Sequence, residues 1–277
     1  MAGLFGLMVG SFLNVVVHRL PRMLDQQWRT QCAELLETPP VSPVATPATY
    51  NLALPASHCP HCGHTLSAFE NIPLISFLLQ RGCCRACGVA ISWRYPAVEA
   101  IAGVGAAVVV WHFGSTWPAV AALFFTWTLI AASAIDLDHQ ILPDVITLPL
   151  LWAGLALSLW GAFVAPATAI IGAMAGYLSL WSVYWVFRLL TGKEGMGYGD
   201  FKLLAALGAW TGWQTLPVLI FLSSLVGAVV GIALVVMSGR DRRKPIPFGP
   251  FLAAAGWINF LWGEGLFHTY LRWSQSL

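Results

Sequence analysis

Uncharged apolar runs long enough to cross a lipid bilayer recur along almost the whole chain. A spanning helix needs about 20 mostly apolar residues, and such runs occupy residues 2–18, 96–113, 118–135, 145–163, 166–187, 201–214, 216–237 and 250–270. The expectation is an all-α polytopic membrane protein with about eight transmembrane helices, the sixth run being short for an upright crossing. Composition agrees, with 58% hydrophobic and 9% charged residues among 277 and a mean hydropathy of +0.72. A formal charge of only +2 leaves no basic surface for nucleic acid, so membrane lipid is the main surrounding.

The distribution of Lys and Arg orients these runs, because cytoplasmic loops collect them. With the N-terminus outside and eight spans, 13 of the 14 basic residues fall inside, Arg272 being the exception, and the short outer connections near His112–Pro118, Ala165–Pro166 and Thr215 carry none. The opening run lacks a basic n-region and is followed by Arg19 and Arg22 instead of a small-residue cleavage site, so it reads as a retained span. The expected organisation is a first transmembrane helix over 1–18, a cytoplasmic insert over 19–95 and a seven-helix membrane domain over 96–277. Within the insert, Asp25–Glu37 is expected to form a short surface helix and the Pro-rich stretch 38–47 an extended loop.

Four of the six cysteines form two C-x-x-C pairs, Cys59/Cys62 and Cys84/Cys87, each followed by a glycine that closes a tight bend, Gly63 and Gly88. Four thiolates so arranged complete a tetrahedral shell around structural zinc, in the manner of a zinc ribbon. Cys83 stands as an alternative to Cys84, and His61 or His64 as a replacement for a thiolate. Two disulfides are the competing reading, which the reducing side assigned to the insert disfavours. Cys32 has no partner at metal spacing and reads as an ordinary buried or interfacial cysteine.

Carboxylates are costly in a membrane and few here, so their positions carry information. Asp136, Asp138 and Asp144 follow the apolar run that ends at Ile135, and Asp200 closes Gly195-Met-Gly-Tyr-Gly-Asp200 just before another apolar run. Both groups emerge on the cytoplasmic side, where two carboxylates can share a proton, one activating water and the other polarising a peptide carbonyl. Spacing alone does not separate Asp136 from Asp138. It also allows Asp144 and Asp200 to be helix N-caps, but glycines at 195, 197 and 199 suit a place where a substrate backbone approaches. A proton-coupled transporter would also keep membrane aspartates, though at the midplane and with repeat symmetry; a non-catalytic zinc-dependent assembly factor is the third class.

Several stretches resemble those of type IV prepilin peptidases: Gly10-Ser-Phe-Leu-Asn-Val-Val-Val-His-Arg-Leu-Pro21, both cysteine pairs, Glu70-Asn-Ile-Pro73, Trp93-Arg-Tyr-Pro-Ala-Val-Glu99, Ile135-Asp-Leu-Asp-His-Gln-Ile-Leu-Pro-Asp144, Gly195-Met-Gly-Tyr-Gly-Asp-Phe-Lys202 and Pro247-Phe-Gly-Pro-Phe251. The resemblance covers nearly the whole chain. It implies a GxGD-type aspartic endopeptidase of the bacterial inner membrane that removes the basic leader of prepilins or pseudopilins on the cytoplasmic side, usually between glycine and phenylalanine, for type IV pilus assembly or type II secretion. It also implies N-methylation of the new amino terminus with S-adenosylmethionine. The GxGD aspartate maps onto Asp200, with Gly197 and Gly199 in support, and its partner onto Asp136. No G-x-G-x-x-G follows a strand, and the methyl-donor site is expected near the insert, with Glu70 and Asn71. Cysteine labelling checks the topology: reagents confined to the periplasmic side should miss cysteines introduced beside Arg81 or Lys244.

Overall fold

The computed structural model describes residues 1–36, 50–238 and 246–275, except for the side chains of 235, 238 and 264–275. The expected Pro-rich loop at 38–47 and the basic residues from Arg240 to Lys244 lie outside the described residues. Regular structure among the described residues is helical. The elements are α1 (Ala2–Leu35), α2 (Ile75–Leu79), α3 (Arg94–Phe113), α4 (Trp117–His139), α5 (Asp144–Ser158), α6 (Pro166–Thr191), α7 (Tyr198–Thr211), α8 (Leu216–Ser238) and α9 (Gly249–Gln275). Two compact units divide at Trp111/His112.

In the first unit, α1 is one unbroken helix in place of the expected span and separate surface helix. Pro21 lies inside it without ending it, because only one backbone bond is lost there. At 1.5 Å per residue its 34 residues extend about 51 Å, beyond the ~30 Å of a hydrocarbon core, so its polar second half continues the helix outside the apolar layer. Glycines let α1 lie close against α3: a methyl on Gly6 would sit 2.6 Å from the Ala102 carbonyl oxygen, and one on Gly10 would sit 2.7 Å from Glu99 Cα. Arg19 is buried and donates to the carbonyls of Asn51 (2.9 Å) and Pro55 (2.6 Å), which ties the insert to the helix.

The second unit is built around α7. Phe201, Leu203, Leu204, Ala206, Leu207 and Ala209 have no exposed surface, and α5, α6 and α9 surround them. The α6–α7 crossing is a backbone contact: Gly172 and Gly208 face each other so closely that a Cβ on either would overlap the other's carbonyl, and a methyl on Gly176 would lie 2.6 Å from the Leu204 oxygen. Small residues at such a crossing allow van der Waals packing where lipid removes the hydrophobic drive for association. The Trp210 indole donates to the Leu150 carbonyl of α5 (2.8 Å), and the Trp257 indole donates to Thr126 Oγ1 (3.0 Å), tying α9 to α4.

Five of the described helical segments are long and apolar enough to cross a membrane: Ala2–Leu35, Arg94–Phe113, Trp117–His139, Pro166–Thr191 and Trp213–Leu234. The expected spans at 145–163 and 201–214 correspond to helices of 15 and 14 residues. Large apolar side chains such as Ile170, Met174, Leu178, Phe221, Val229 and Ile232 point outward, the inverse of a soluble fold. Asp144 differs from its reading as an N-cap. Pro143 holds the cap position of α5, and the Asp144 carboxylate instead pairs with Lys202 Nζ at 2.6 and 2.7 Å.

Candidate functional site

The two aspartates singled out from the sequence occupy the adjoining ends of helices in the second unit. Asp136 lies in the last turn of α4, which closes with Gln140 in the left-handed conformation (φ 55°), its N–H donating to the Asp136 carbonyl. Asp200 is the third residue of α7, two positions beyond the first and not itself the N-cap, which is Gly197; its carboxylate reaches back to the Gly197 N–H. Both are buried, at 6% and 8% exposure, whereas Asp138 is exposed. Burial separates the two aspartates that spacing left equivalent.

Three contacts bring the carboxylates to one place. The N–H of Gly249, at the start of α9, donates to Asp136 Oδ2 at 2.9 Å. Leu142 packs against both Gly249 and Gly199: a methyl on Gly199 would sit 2.6 Å from Leu142 Cβ, and one on Gly249 would sit 3.1 Å from Leu142 Cδ1. The charges of Asp136 and Asp200 are close enough to interact. Asp200 Oδ1 is buried with no hydrogen-bond partner among the described residues, and an unsatisfied buried oxygen is a costly feature outside a functional site.

The glycines before Asp200 do different work from one another. Gly199 packs on Leu142 and Gly195 on Phe187. Of the three, only Gly197 has room for a methyl without displacing a neighbour, the nearest atom, Asp200 Oδ2, being 3.8 Å from where its Cβ would stand. Gly249 was not singled out as a site residue; its bond to Asp136 spans 113 positions and has no local signature.

In the first unit, Cys59, Cys62, Cys84 and Cys87 converge, with all four sulfurs within 4.8 Å of one another and Cys59 and Cys87 at 3.9 Å. Zinc–sulfur bonds of about 2.3 Å require sulfurs about 3.8 Å apart in a tetrahedron, so the donor set fits the ion. The two turns are built alike: the Gly63 N–H bonds the Cys59 carbonyl and Gly88 the Cys84 carbonyl, with φ of 72° and 70° at the glycines. The N–H groups of Cys62 and His61 point at the Cys59 sulfur and bring its thiol down to about 6, which favours the ligating thiolate. Cys83 lies outside this cluster, and His64 instead faces Glu70 at 3.3 Å. Cys32 is exposed, which removes the buried alternative of its two expected places.

Glu70 is buried rather than solvated. Its carboxylate accepts bonds from the Ser67 N–H (2.9 Å) and Ser67 hydroxyl (2.7 Å), which, with His64, bring it down to about 2. Glu70 and Asn71 border a cavity of about 670 Å³ that is also lined by Asn14, Tyr95 and Glu99. Asn14 donates to the Tyr95 carbonyl (3.0 Å), while its own Oδ1 is buried without a partner. Sequence reasoning missed Asn14 as a site residue, although it stands in the Gly10–Pro21 stretch.

Two outcomes follow from this geometry. Metal analysis of purified protein should find one zinc per chain, lost in a Cys62→Ser/Cys87→Ser variant; a metal-free wild type with paired disulfides would refute the reading. Gly197→Ala should keep membrane abundance while reducing activity at the aspartate site, because its methyl occupies open space beside Asp200. Gly199→Ala should instead lower abundance or thermal stability by roughly 1–3 kcal/mol through overpacking on Leu142.

Comparison with known proteins agrees with this arrangement. Residues 4–113 match the family described as the bacterial peptidase A24 N-terminal domain, and residues 123–232 match the type IV leader peptidase family. Proteins named prepilin leader peptidase/N-methyltransferase are 56% identical in Stutzerimonas stutzeri, over 98% of this chain and 92% of that protein, and 55% identical in Pseudomonas aeruginosa, with the same shares covered. The Aeromonas hydrophila protein of that name is 56% identical over 97% of this chain and 92% of its own length. No solved structure gives a significant match. With two family regions in tandem and relatives matching from end to end, the chain belongs to the type IV leader peptidase family.

Proposed function

We propose that this protein is a leader peptidase and N-methyltransferase of prepilin-like precursors, cleaving with Asp136 and Asp200 and methylating the amino terminus it exposes. The observation that carries the peptidase half is the pair of buried carboxylates at the ends of α4 and α7, one held by a backbone N–H and the other with an unpartnered oxygen. Such a pair shares one proton because two adjacent carboxylates do not both ionise cheaply. The Gly249 N–H supports negative charge on Asp136, and Asp200, whose Oδ1 has no donor among the described residues, carries the proton on that oxygen. Asp136 then takes a proton from water as its oxygen attacks the scissile carbonyl, and Asp200 donates to the carbonyl oxygen. Collapse of the tetrahedral diol expels the amine, protonated by the acid that Asp136 has become, while a diol hydroxyl returns its proton to Asp200 as the carbonyl re-forms. Open space at Gly197 is where the substrate backbone reaches Asp200.

Methyl transfer belongs to the cavity bordered by Glu70 and Asn71. S-adenosylmethionine supplies a methyl group on a sulfonium. The cavity suits that group and an amine, since it is large enough for a small-molecule ligand and presents the ionised Glu70 and the undonated Asn14 Oδ1. Asn14 accepts an N–H from the amino terminus and orients its lone pair, and Glu70 favours a positively charged ligand. Zinc held by the four cysteines stabilises the turns that form one wall, since Cys59 and Cys84 also line the cavity. The protein works in the bacterial inner membrane with both sites on the cytoplasmic face, processing precursors for type IV pilus assembly or type II secretion. A proton-coupled transporter is disfavoured by carboxylates at helix ends, and a non-catalytic assembly factor by the Asp200 Oδ1, buried with no partner among the described residues.

Mass spectrometry of a co-expressed prepilin tests both activities. Asp136→Asn and Asp200→Asn should each reduce cleavage by on the order of 10³-fold or more, equivalent to roughly 4 kcal/mol of transition-state stabilisation, and the double variant should be little worse. Asp138→Asn should retain turnover; if it abolishes cleavage while Asp136→Asn does not, the pair is Asp138 and Asp200. Asp144→Asn loses a half-exposed ion pair with Lys202, worth about 0–1 kcal/mol. Glu70→Gln should reduce methylation of an already cleaved peptide while leaving leader removal intact.

A further inference from the structure

A second cavity, of about 410 Å³, lies in the second unit, between α6, α8, the residue before Gly197 and the residues leading into α9. The carboxylates do not line it, but two of its lining residues are chain neighbours of residues beside them. Met196 precedes Gly197, the open position beside Asp200, and Phe248 precedes Gly249, whose N–H holds Asp136. From there it descends along one face of α8 through Ala228, Gly227, Ser224 and Ile220, positions spaced as successive turns of a helix. Ala228 and Ile220 are eight residues apart, which is about 12 Å of descent. Val183, Ser224 and Ala228 are exposed, so the groove opens sideways, on the flank where α6 and α8 present apolar side chains outward.

We infer that this groove is the specificity site for the apolar segment on the retained side of the scissile bond, its upper end receiving the large apolar side chain of the first retained residue. The inference rests on the aspartate pair being the cleavage site. Three features select this occupant. The lining contains no Asp, Glu, Lys, Arg or His, and its one side-chain polar group is the Ser224 hydroxyl, so a charged residue would enter with its desolvation uncompensated. The same short segment, Ile246–Phe251, both walls the groove and fixes Asp136, so a chain seated in the groove has its first peptide bond beside the carboxylates. The groove also runs away from the carboxylates along the length of a membrane-crossing helix, the path of an apolar segment that stays in the bilayer, while a polar leader must leave in the opposite direction.

The test narrows the groove and varies what should fill it. Ala228→Phe and Ser224→Phe enzymes in membranes are assayed against two precursors that differ only at the first retained residue, Phe or Ala. The ratio of kcat/KM for the Phe over the Ala precursor should fall by about tenfold or more in the narrowed enzymes. Methylation of an already cleaved peptide and zinc content report that the variants are folded. A Phe analogue that cross-links on illumination, placed at the first retained position, should label Met196, Ala228 or Phe251. An unchanged ratio, as expected of a groove that holds only lipid tails, or cross-links confined to other helices, would overturn the proposal. Asp200→Asn in the otherwise native enzyme is assayed alongside: if it still cleaves, the aspartate reading has failed, whereas loss of cleavage there with an unchanged Phe/Ala ratio in the narrowed enzymes overturns the groove alone.

Discussion

The backbone contact between α6 and α7 at Gly172 and Gly208 is the constraint on which the second unit depends. It lets a 14-residue helix sit wholly inside a cage of longer ones, with its central residues sealed from any solvent. A helix so enclosed need not span the bilayer, because its unpaired end groups face protein and not lipid. Its first turn opens at the exposed Tyr198, and Asp200 is the first of its residues to be buried. A side chain at either glycine would separate the helices and move that carboxylate away from the end of α4.

The rest of the site is an arrangement of helix ends. Asp136 is presented where α4 stops, Leu142 fills the turn into α5, and α9 begins with the N–H that holds Asp136. Helix ends are where backbone groups remain available, and they are also where irregular structure is tolerated in a membrane protein. A buried charged side chain needs such partners, since side-chain donors are scarce among the apolar residues around it. Placement of the carboxylates and their backbone hydrogen bonding thus arise from the same local interruption of helical structure.

The first unit solves a different problem. Between α1 and α3, Phe77 is the one buried large apolar side chain among the described residues of the insert, far too little core to order that length of chain. Four converging thiolates, the Arg19 bonds to two carbonyls and the Glu70 bonds to Ser67 take the place of a core. The same polar anchoring borders the cavity proposed for methyl transfer, so the residues that order the insert also line a pocket.

Apolar run length and cysteine spacing were legible in the sequence: the helical membrane class and the four-thiolate cluster both follow from local pattern, since a spanning helix and a zinc turn are specified by residues near one another in the chain. The continuity of α1 through Pro21 was not legible, because a proline can either end a helix or be carried through it. Neither was the choice of Asp136 over Asp138, two residues apart at the end of a helix, since burial on one side of that helix depends on what packs there. The Lys202 partner of Asp144, the Gly249 donor to Asp136 and the unpaired Asn14 oxygen join or expose groups whose neighbours lie 58, 113 and 81 positions away. Sequence alone determined that the chain is helical and apolar enough for a membrane and which residue types could do chemistry there. Tertiary structure decided which carboxylate is buried and what holds it, because hydrogen bonding and desolvation are set by atoms that meet only when distant helix ends pack together.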